Sequence, residues 1–425
     1  MLKSTSRPLS ARGSVRRAVL VSTVEGVLAE LVTACAGGGA LVAWALHLRA
    51  SPLVIGAILA LPALAQSVQI PAARLTARLG ARRTAIGAAL TSRQPYLLLA
   101  LLPWLPLGTE WRLAALVAIS ATAAFFGAVA QHAWFTWVAA LFRAPLRGRV
   151  LARRAGRMAL AGSAGALAVG AILDRCGARA LPYALAALAA VAWLSGVVSA
   201  AILARLHAPR AARRPRAPVR VREALAPERV RRGLRYTAAW HAALGTTASL
   251  SVVVMLNHLR LPLLAVAGHG VIVAGASALA APFWGRAVDR AGVGRVLVVS
   301  AVGAATLPFL WLAASRQVLW PLGVDAVLGG VLLGGQGVAS TNLAVAVAPR
   351  GRRAEVHASY STAAGLAFAV ASVASGVLTA KLPLAVGVGG AWVAVRKLVF
   401  AAGGTARLGA AALSARVFRG DQDRR

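Results

Sequence analysis

WGRAVDRAGVGRV, residues Trp284 to Val296, is the stretch of sequence that decides the fold. It places one aspartate and three arginines among glycines, and a long apolar run lies on each side of it. Glycine permits tight turns because it adopts backbone conformations that side chains disfavour. The stretch therefore predicts a short charged turn that joins two apolar segments.

The apolar runs dominate the whole chain. Of its 425 residues, 59% are hydrophobic and only 14% are charged, and the mean hydropathy is +0.72. Soluble domains contain about 25% charged residues. A soluble chain of this length would need polar surface for two or three domains, and the sequence does not supply it. The composition predicts a membrane protein.

The net charge of +36 does not indicate a nucleic-acid partner. The basic residues lie in short segments between apolar runs, and no basic face alternates with aromatic residues. Cys35 and Cys176 are far apart and suggest neither a metal site nor a disulfide framework. Because no Walker A or His-Glu-x-x-His pattern occurs, we expect no cofactor, no metal and no enzymatic activity.

Twelve segments have about the 20 apolar residues that a helix needs to cross a bilayer. A basic, proline-rich loop at 207–235 divides them six and six, with a cytoplasmic arm at 1–17 and a cytoplasmic tail at 405–425. The sequence thus predicts an all-α membrane protein with six-helix bundles at 18–206 and 236–404. The predicted spans are 18–46, 52–73, 84–105, 111–141, 154–174, 181–204, 236–257, 262–286, 295–315, 318–347, 356–379 and 383–404; Arg396 and Lys397 interrupt the last.

The basic residues also predict the orientation, because cytoplasmic loops carry an excess of lysine and arginine. With a cytoplasmic N-terminus, three basic residues lie well within spans and 37 of the 47 lie on the inner side. Both termini are therefore expected in the cytoplasm, in a bacterial inner membrane. The seven on the outer side would be Arg49, Arg112, Arg175, Arg179, Arg260, Arg316 and Lys381.

The opening stretch has a partner in the first half of the chain. ARLTARLGARR (Ala73 to Arg83) follows the second span as GRAVDRAGVGR (Gly285 to Arg295) follows the eighth. A second pair of similar segments consists of PLRGRVLARR, from Pro145, and PRGRRAEVHA, from Pro349. The two pairs of similar segments predict an internal duplication, in which six-helix halves are related by an axis along the membrane normal.

GRAVDRAGVGR resembles the loop signature of the major facilitator superfamily, which stands between the second and third helices of a six-helix half. The resemblance implies alternating access, with a central cavity lined by the first, fourth, seventh and tenth spans. The resemblance also implies that helices approach each other closely at Gly285. It implies that Asp289 and Arg290 take part in a charge relay, in a hairpin that latches the two halves together on the cytoplasmic side. Gly292 and Arg295 are the remaining residues of the motif. The alternative interpretation is a plain turn whose arginines only keep the loop on the cytoplasmic side.

The first-half copy departs from this pattern. It has Ala77 where the signature has aspartate and Ala73 where it has glycine. The Gly-Pro antiporter signature of the fifth helix is also missing, because GSAGALAVGAILD (Gly162 to Asp174) contains no proline. Drug–proton antiport therefore loses support.

Charged residues inside the spans are candidates for substrate binding or ion coupling, since each costs about 2.5–3.5 kcal/mol at the centre of a bilayer. Glu30 lies roughly 18 Å along the first span, and Glu25 lies shallower. Arg93 falls near the middle of the third span, so we expect it to pair with Glu30. This pair would serve either transport or helix packing.

Polar residues of the second half extend this set of candidates. Asp325 lies near the outer edge of the tenth span, and Gln336 and Asn342 are expected to line a central cavity. Trp134 and Trp137 fit the aromatic belt at the membrane interface.

These features predict a secondary active transporter that moves a small solute, with protons as the coupling ion. Its other partners would be membrane lipids, and we expect a monomer. A non-transporting scaffold or receptor on the same fold is the alternative, and an intramembrane enzyme would lack a recognisable catalytic set.

Overall fold

The computed structural model describes residues 12–141, 144–206, 221–349, 352–381, 385–388 and 391–417, and most of them are helical. The helices are α1 (Arg12–Ala36), α2 (Gly38–His47), α3 (Pro52–Leu64), α4 (Gln69–Leu79), α5 (Ala81–Arg93), α6 (Pro95–Leu101), α7 (Thr109–Leu141), α8 (Ala144–Arg175), α9 (Leu181–Ala204), α10 (Val221–Ala224), α11 (Glu228–Val253), α12 (Leu263–Ala313), α13 (Trp320–Val347), α14 (Arg353–Lys381) and α15 (Val395–Val417). Short 3-10 turns cover Ala65–Val68 and Leu102–Trp104, and a π-helical turn covers Val254–His258. An antiparallel hairpin joins β1 (Ala385–Val388) to β2 (Ala391–Ala394), with Ala385 opposite Ala394.

The described residues contain eleven helical segments that are long and apolar enough to cross a membrane. One of them, α12, has 51 residues. A straight helix of that length would measure roughly 75 Å, whereas the hydrocarbon core of a bilayer is about 30 Å thick. The backbone leaves the helical conformation at Gly292, so α12 holds two of the predicted spans.

The structure divides into two compact units. The first comprises the described residues of Met1–Arg49 and Val68–Pro218, and the second those of Ala50–Ser67 and Val219–Arg425. Helix α3 packs against α14 within the second unit, where Gly365 leaves room for the carbonyl of Ala63. The beginning of the second predicted span thus lies outside the unit that holds the rest of the first half.

The predicted turn and its first-half counterpart have the same backbone. Gly292 has φ 83° and ψ 157°, and Gly80, which separates α4 from α5, has φ 86° and ψ 143°. Residues other than glycine rarely adopt such angles, which cost them about 1–3 kcal/mol. The helices of the two halves are therefore interrupted at glycines with the same backbone, and the internal duplication stays a prediction.

Several predicted boundaries are wrong. The last span is Val395–Val417 rather than 383–404, because strands β1 and β2 occupy 385–388 and 391–394 and put Arg396 and Lys397 in the first helical turn. Residues 405–417 therefore belong to a helix and not to a tail. Helix α11 begins within the predicted central loop, where Glu228 pairs with Arg231 and Arg232 one turn later.

The N-terminal arm is also shorter than predicted, because α1 begins at Arg12. A short helix, α10, lies within the predicted central loop as well. Residues 1–11, 207–220 and 418–425 of the predicted arm, loop and tail lie outside the described residues.

The close helix approach that was expected at Gly285 is absent, since a Cβ built there meets nothing within 4 Å. At the contact between α12 and α13, glycines of α13 meet α12 instead. A Cβ on Gly335 would lie 2.5 Å from the ring of Trp284, whose Nε1 donates a 2.8 Å hydrogen bond to the carbonyl of Val331. The α12–α13 contact therefore depends on small residues of α13.

Replacement of Gly292 by alanine should reduce stability by about 1–3 kcal/mol because alanine is strained at positive φ. Gly285→Ala is the matched control, since a Cβ added at either glycine would meet nothing within 4 Å and only Gly292 has a positive φ. The control should be neutral or stabilising by up to about 1 kcal/mol, the helix preference of alanine over glycine. Thermal unfolding of the purified protein measures both, and equal effects would contradict the backbone argument.

Candidate functional site

A buried ion pair joins α1 to α8 in the first unit. Nη2 of Arg154 lies 3.0 Å from Oε2 of Glu25, and the two side chains are only 13% and 10% exposed. Nε of Arg154 donates a 2.9 Å hydrogen bond to the carbonyl of Ser22. The guanidinium carbon also lies 4.1 Å from the centroid of the Trp134 ring on α7. Carboxylate, carbonyl and aromatic ring together replace the water that this charge would have at the surface.

The helices around this pair are shaped to admit the guanidinium. A Cβ on Gly26 would lie 2.6 Å from Nη2 of Arg154, so glycine is needed beside Glu25. Ser199 of α9 donates a 3.2 Å hydrogen bond to the carbonyl of Glu25. Four helices of the first unit, α1, α7, α8 and α9, therefore contribute to the site.

The predicted pairing of Glu30 with Arg93 is wrong. The carboxylate of Glu30 lies over Gly162 of α8, where a Cβ would be 2.9 Å from Oε2. Arg93 packs its aliphatic stem against Gly196 of α9 and donates a 3.2 Å hydrogen bond to Ser92. Position along a span predicts the depth of a residue, but the rotation of each helix decides which neighbour it faces.

The second unit contains a different polar cluster at Asp325. Oδ2 of Asp325 on α13 lies 3.2 Å from Nε2 of His269 on α12, and the side chains are 14% and 19% exposed. The His269 ring meets the ring of Trp311 edge to face, with centroids 6.2 Å apart. Asp325 also interacts electrostatically with Arg407 of α15.

Arg407 is the most enclosed cation of this cluster, with only 7% of its surface exposed. Nη2 donates a 2.6 Å hydrogen bond to Oγ1 of Thr247 on α11, and Nη1 lies 3.4 Å from the carbonyl of Ala304. Nε has no hydrogen-bond partner among the described residues. One acid, one histidine and one arginine are thus brought together from three helices.

Gln336 does not line a cavity, contrary to expectation. It is 4% exposed and lies in the core formed by α11, α12 and α13. Its amide nitrogen donates to the hydroxyls of Tyr236 and Ser340, and its oxygen accepts a 3.1 Å hydrogen bond from Ser300. The contacts of Gln336 are those of a buried packing residue. Asn342 is exposed and bonds back to Val338 of its own helix.

The charged residues of the opening motif lie at the surface of the second unit. Asp289, Arg290 and Arg295 are exposed, and Asp289 forms no ion pair with another residue in the described ranges. The latch that the resemblance implies therefore stays a prediction. The structure accounts only for the turn at Gly292.

Sequence reasoning missed Arg154, His269 and Arg407, and placed both tryptophans wrongly. Trp134 and Trp137 are 7% and 2% exposed, so they are buried and do not form an interfacial belt. Arg154 stood at the predicted edge of the fifth span, whereas α8 begins ten residues earlier. Arg407 was placed in a tail. A search for arginines one helical turn beyond each apolar run would have found Arg154.

Arg154→Gln should destabilise the protein strongly, because it leaves Glu25 buried without its partner; removal of one member of a buried pair typically costs about 3–5 kcal/mol. Glu25→Gln combined with Arg154→Gln should recover much of that loss. Thermal unfolding of both single variants, the double variant and wild type gives the coupling directly. Arg153→Gln, at the exposed neighbouring position, is the control for loss of charge; additive single effects would refute the pairing.

Comparisons with known proteins concern the fold. The sequence matches no protein-family model and no curated protein. Solved structures of transporters match almost the whole chain. The nucleoside transporter NupG is 14% identical, with a TM-score of 0.68 over 94% of this chain and 99% of that one.

Two further transporters give the same result. The inward-open xylose transporter XylE from E. coli is 13% identical, with a TM-score of 0.70 over 93% of this chain and 95% of its own. The human organic anion transporter MFSD10 is 14% identical, with a TM-score of 0.61 over 94% and 99% of the two chains. The chain is therefore an integral membrane protein with the fold of the major facilitator superfamily transporters, as its loop motif and topology had indicated.

Proposed function

We propose that the protein is a secondary active transporter that moves a small polar solute by alternating access and uses protons as the coupling ion. The observation that carries the proton coupling is the Asp325–His269 contact between two membrane-spanning helices. Ionisable groups at such positions are costly in lipid and commonly serve proton relays. The transporter fold supplies the context for this pair.

The groups around Asp325 suit proton exchange. Among the described residues, the charged and titratable neighbours of Asp325 are His269 from α12 and Arg407 from α15. Arginine keeps its proton in proteins, whereas histidine changes charge near neutral pH. The charges of Asp325 and Arg407 balance when His269 is neutral, and the site gains one positive charge when His269 binds a proton. Proton binding thus changes the electrostatics of the site.

The first unit offers a different role. Because Arg154 does not release a proton, the Glu25–Arg154 pair is suited to holding α1 against α8 rather than to exchanging protons. Glu30 stays a candidate for contact with the solute or proton, since it is only half-buried and forms no ion pair with another described residue. Arg93 is a candidate for an anionic part of the solute.

The solute, the orientation and the oligomeric state belong to the same proposal. The solved transporters that resemble this chain are described as carrying nucleosides, xylose and organic anions, so these three classes are the first solutes to test. The basic bias of the predicted inner loops supports cytoplasmic termini, in a bacterial inner membrane. We propose a monomer as the transporting unit.

Reconstitution into liposomes that contain a pH-sensitive dye tests this function. Addition of uridine, D-xylose or benzoate under an imposed proton gradient should produce proton movement and solute accumulation for one of the three classes. Asp325→Asn and His269→Gln should reduce gradient-driven accumulation at least tenfold, because each removes one of the two titratable groups. Glu30→Gln, measured beside them, tests whether the first unit takes part.

Glu110→Gln is the matched control, since it removes an exposed acid from α7 and should leave transport unchanged. Accumulation that is independent of the proton gradient, or unaffected in the Asp325 and His269 variants, would refute the coupling assignment. A folded protein that moves no solute across a wide panel would favour the non-transporting scaffold.

A further inference from the structure

A cavity of about 330 Å³ lies in the second unit at the end opposite Gly292. Three elements form its walls: the π-helical turn after α11, the end of α12 and the first turn of α15. A volume of this order suits a small ligand. The lining residues are Val254, His258, Leu259, Trp311, Ala314, Ser315, Arg316, Arg396, Lys397 and Phe400.

The charge of the cavity is one-sided. Arg316, Arg396 and Lys397 line it beside His258, and no acidic residue is among its described lining residues. Arg396 and Lys397 form no ion pair or hydrogen bond with another residue of the described chain, and Arg316 donates only one, a 2.8 Å bond from Nε to the carbonyl of His258. Most of their N–H donors are therefore available to a ligand.

The position of Arg396 and Lys397 on α15 makes the excess of positive charge at the cavity more unfavourable. Arg396 and Lys397 stand in the first turn of the helix, where the helix dipole is positive and disfavours cations. Three like charges around one small cavity repel each other. An anion in the cavity would reduce both costs.

The floor of the same cavity is apolar and aromatic. Trp311 and Phe400 are stacked with centroids 4.9 Å apart and planes 10° apart, beside Val254 and Leu259. Guanidinium groups bind phosphate oxygens in pairs, and an apolar floor accepts a ring or hydrocarbon portion. The two surfaces together select a ligand with a phosphate group on an apolar body.

We infer that this cavity is a binding site for such a phosphate ester. The shared chemistry has two sources, the headgroup of an anionic phospholipid and a soluble phosphate ester. Trp311, which lines this cavity, also meets the ring of His269, so the site adjoins the Asp325 cluster; the inference concerns ligand binding and does not rest on the proposed transport activity.

Binding is measured on purified, delipidated protein by thermal stability during titration with two probes, phenyl phosphate and phosphatidylglycerol in mixed micelles. Either probe should raise the melting temperature in a saturable manner, because a ligand of the native state stabilises it. Arg396→Gln combined with Lys397→Gln should weaken binding by about tenfold or more, since charge-assisted hydrogen bonds are lost. Without probe, the same variant should melt at or above the wild-type temperature, because repulsion is relieved.

Arg175→Gln combined with Arg179→Gln removes the same charge from exposed positions of the first unit and should retain wild-type affinity. Phosphatidylcholine and sodium chloride at matched ionic strength are the ligand controls. Stabilisation by phosphatidylglycerol alone assigns the site to lipid, and stabilisation by phenyl phosphate alone assigns it to a soluble ester. No saturable stabilisation by either probe, or an equal loss in both double variants, would overturn the inference.

Discussion

A charge can be held among membrane-spanning helices only when the protein supplies the partners that water would otherwise provide. The buried guanidinium of Arg154 shows what this demands of the first unit. It takes a carboxylate from Glu25, a carbonyl from Ser22 and the face of Trp134. Each of these groups must stand at the right height and rotation of its own helix, so one charge fixes how α1, α7 and α8 pack.

The same requirement shapes the second unit, with other residues. Arg407 is buried among α11, α12 and α15, and Thr247 supplies its shortest hydrogen bond. Its countercharge, Asp325, is shared with His269. The carboxylate therefore has two neighbours of unlike chemistry, an arginine and a histidine.

The sequence predicted the features that depend on length and local backbone. Apolar runs identified the spans, and the glycines of the loop motif predicted the turn that the structure has at Gly292, because a positive φ is a local demand that glycine alone meets cheaply. The last span was misplaced because 385–388 and 391–394 are apolar but form paired strands, which apolar composition alone does not distinguish from a helix. Glu30 and Arg93 were paired by depth alone, whereas helix rotation assigned Arg154 to Glu25. The packing of the whole bundle decides which neighbour a side chain faces, and the sequence of a single helix does not specify it.

The two units share a backbone constraint and differ in their buried charges, and this contrast bears on the mechanism. Gly80 between α4 and α5 and Gly292 within α12 adopt the same unusual backbone, so each half has a glycine with nearly the same angles. A buried carboxylate needs only some cation, and either arginine or histidine satisfies it. The choice decides what else the pair can do: an arginine partner keeps its proton and holds two helices together, whereas a histidine partner can release and accept one. For this reason the proton coupling that we propose for Asp325 and His269 rests on the identity of the partner rather than on the depth or burial of the acid.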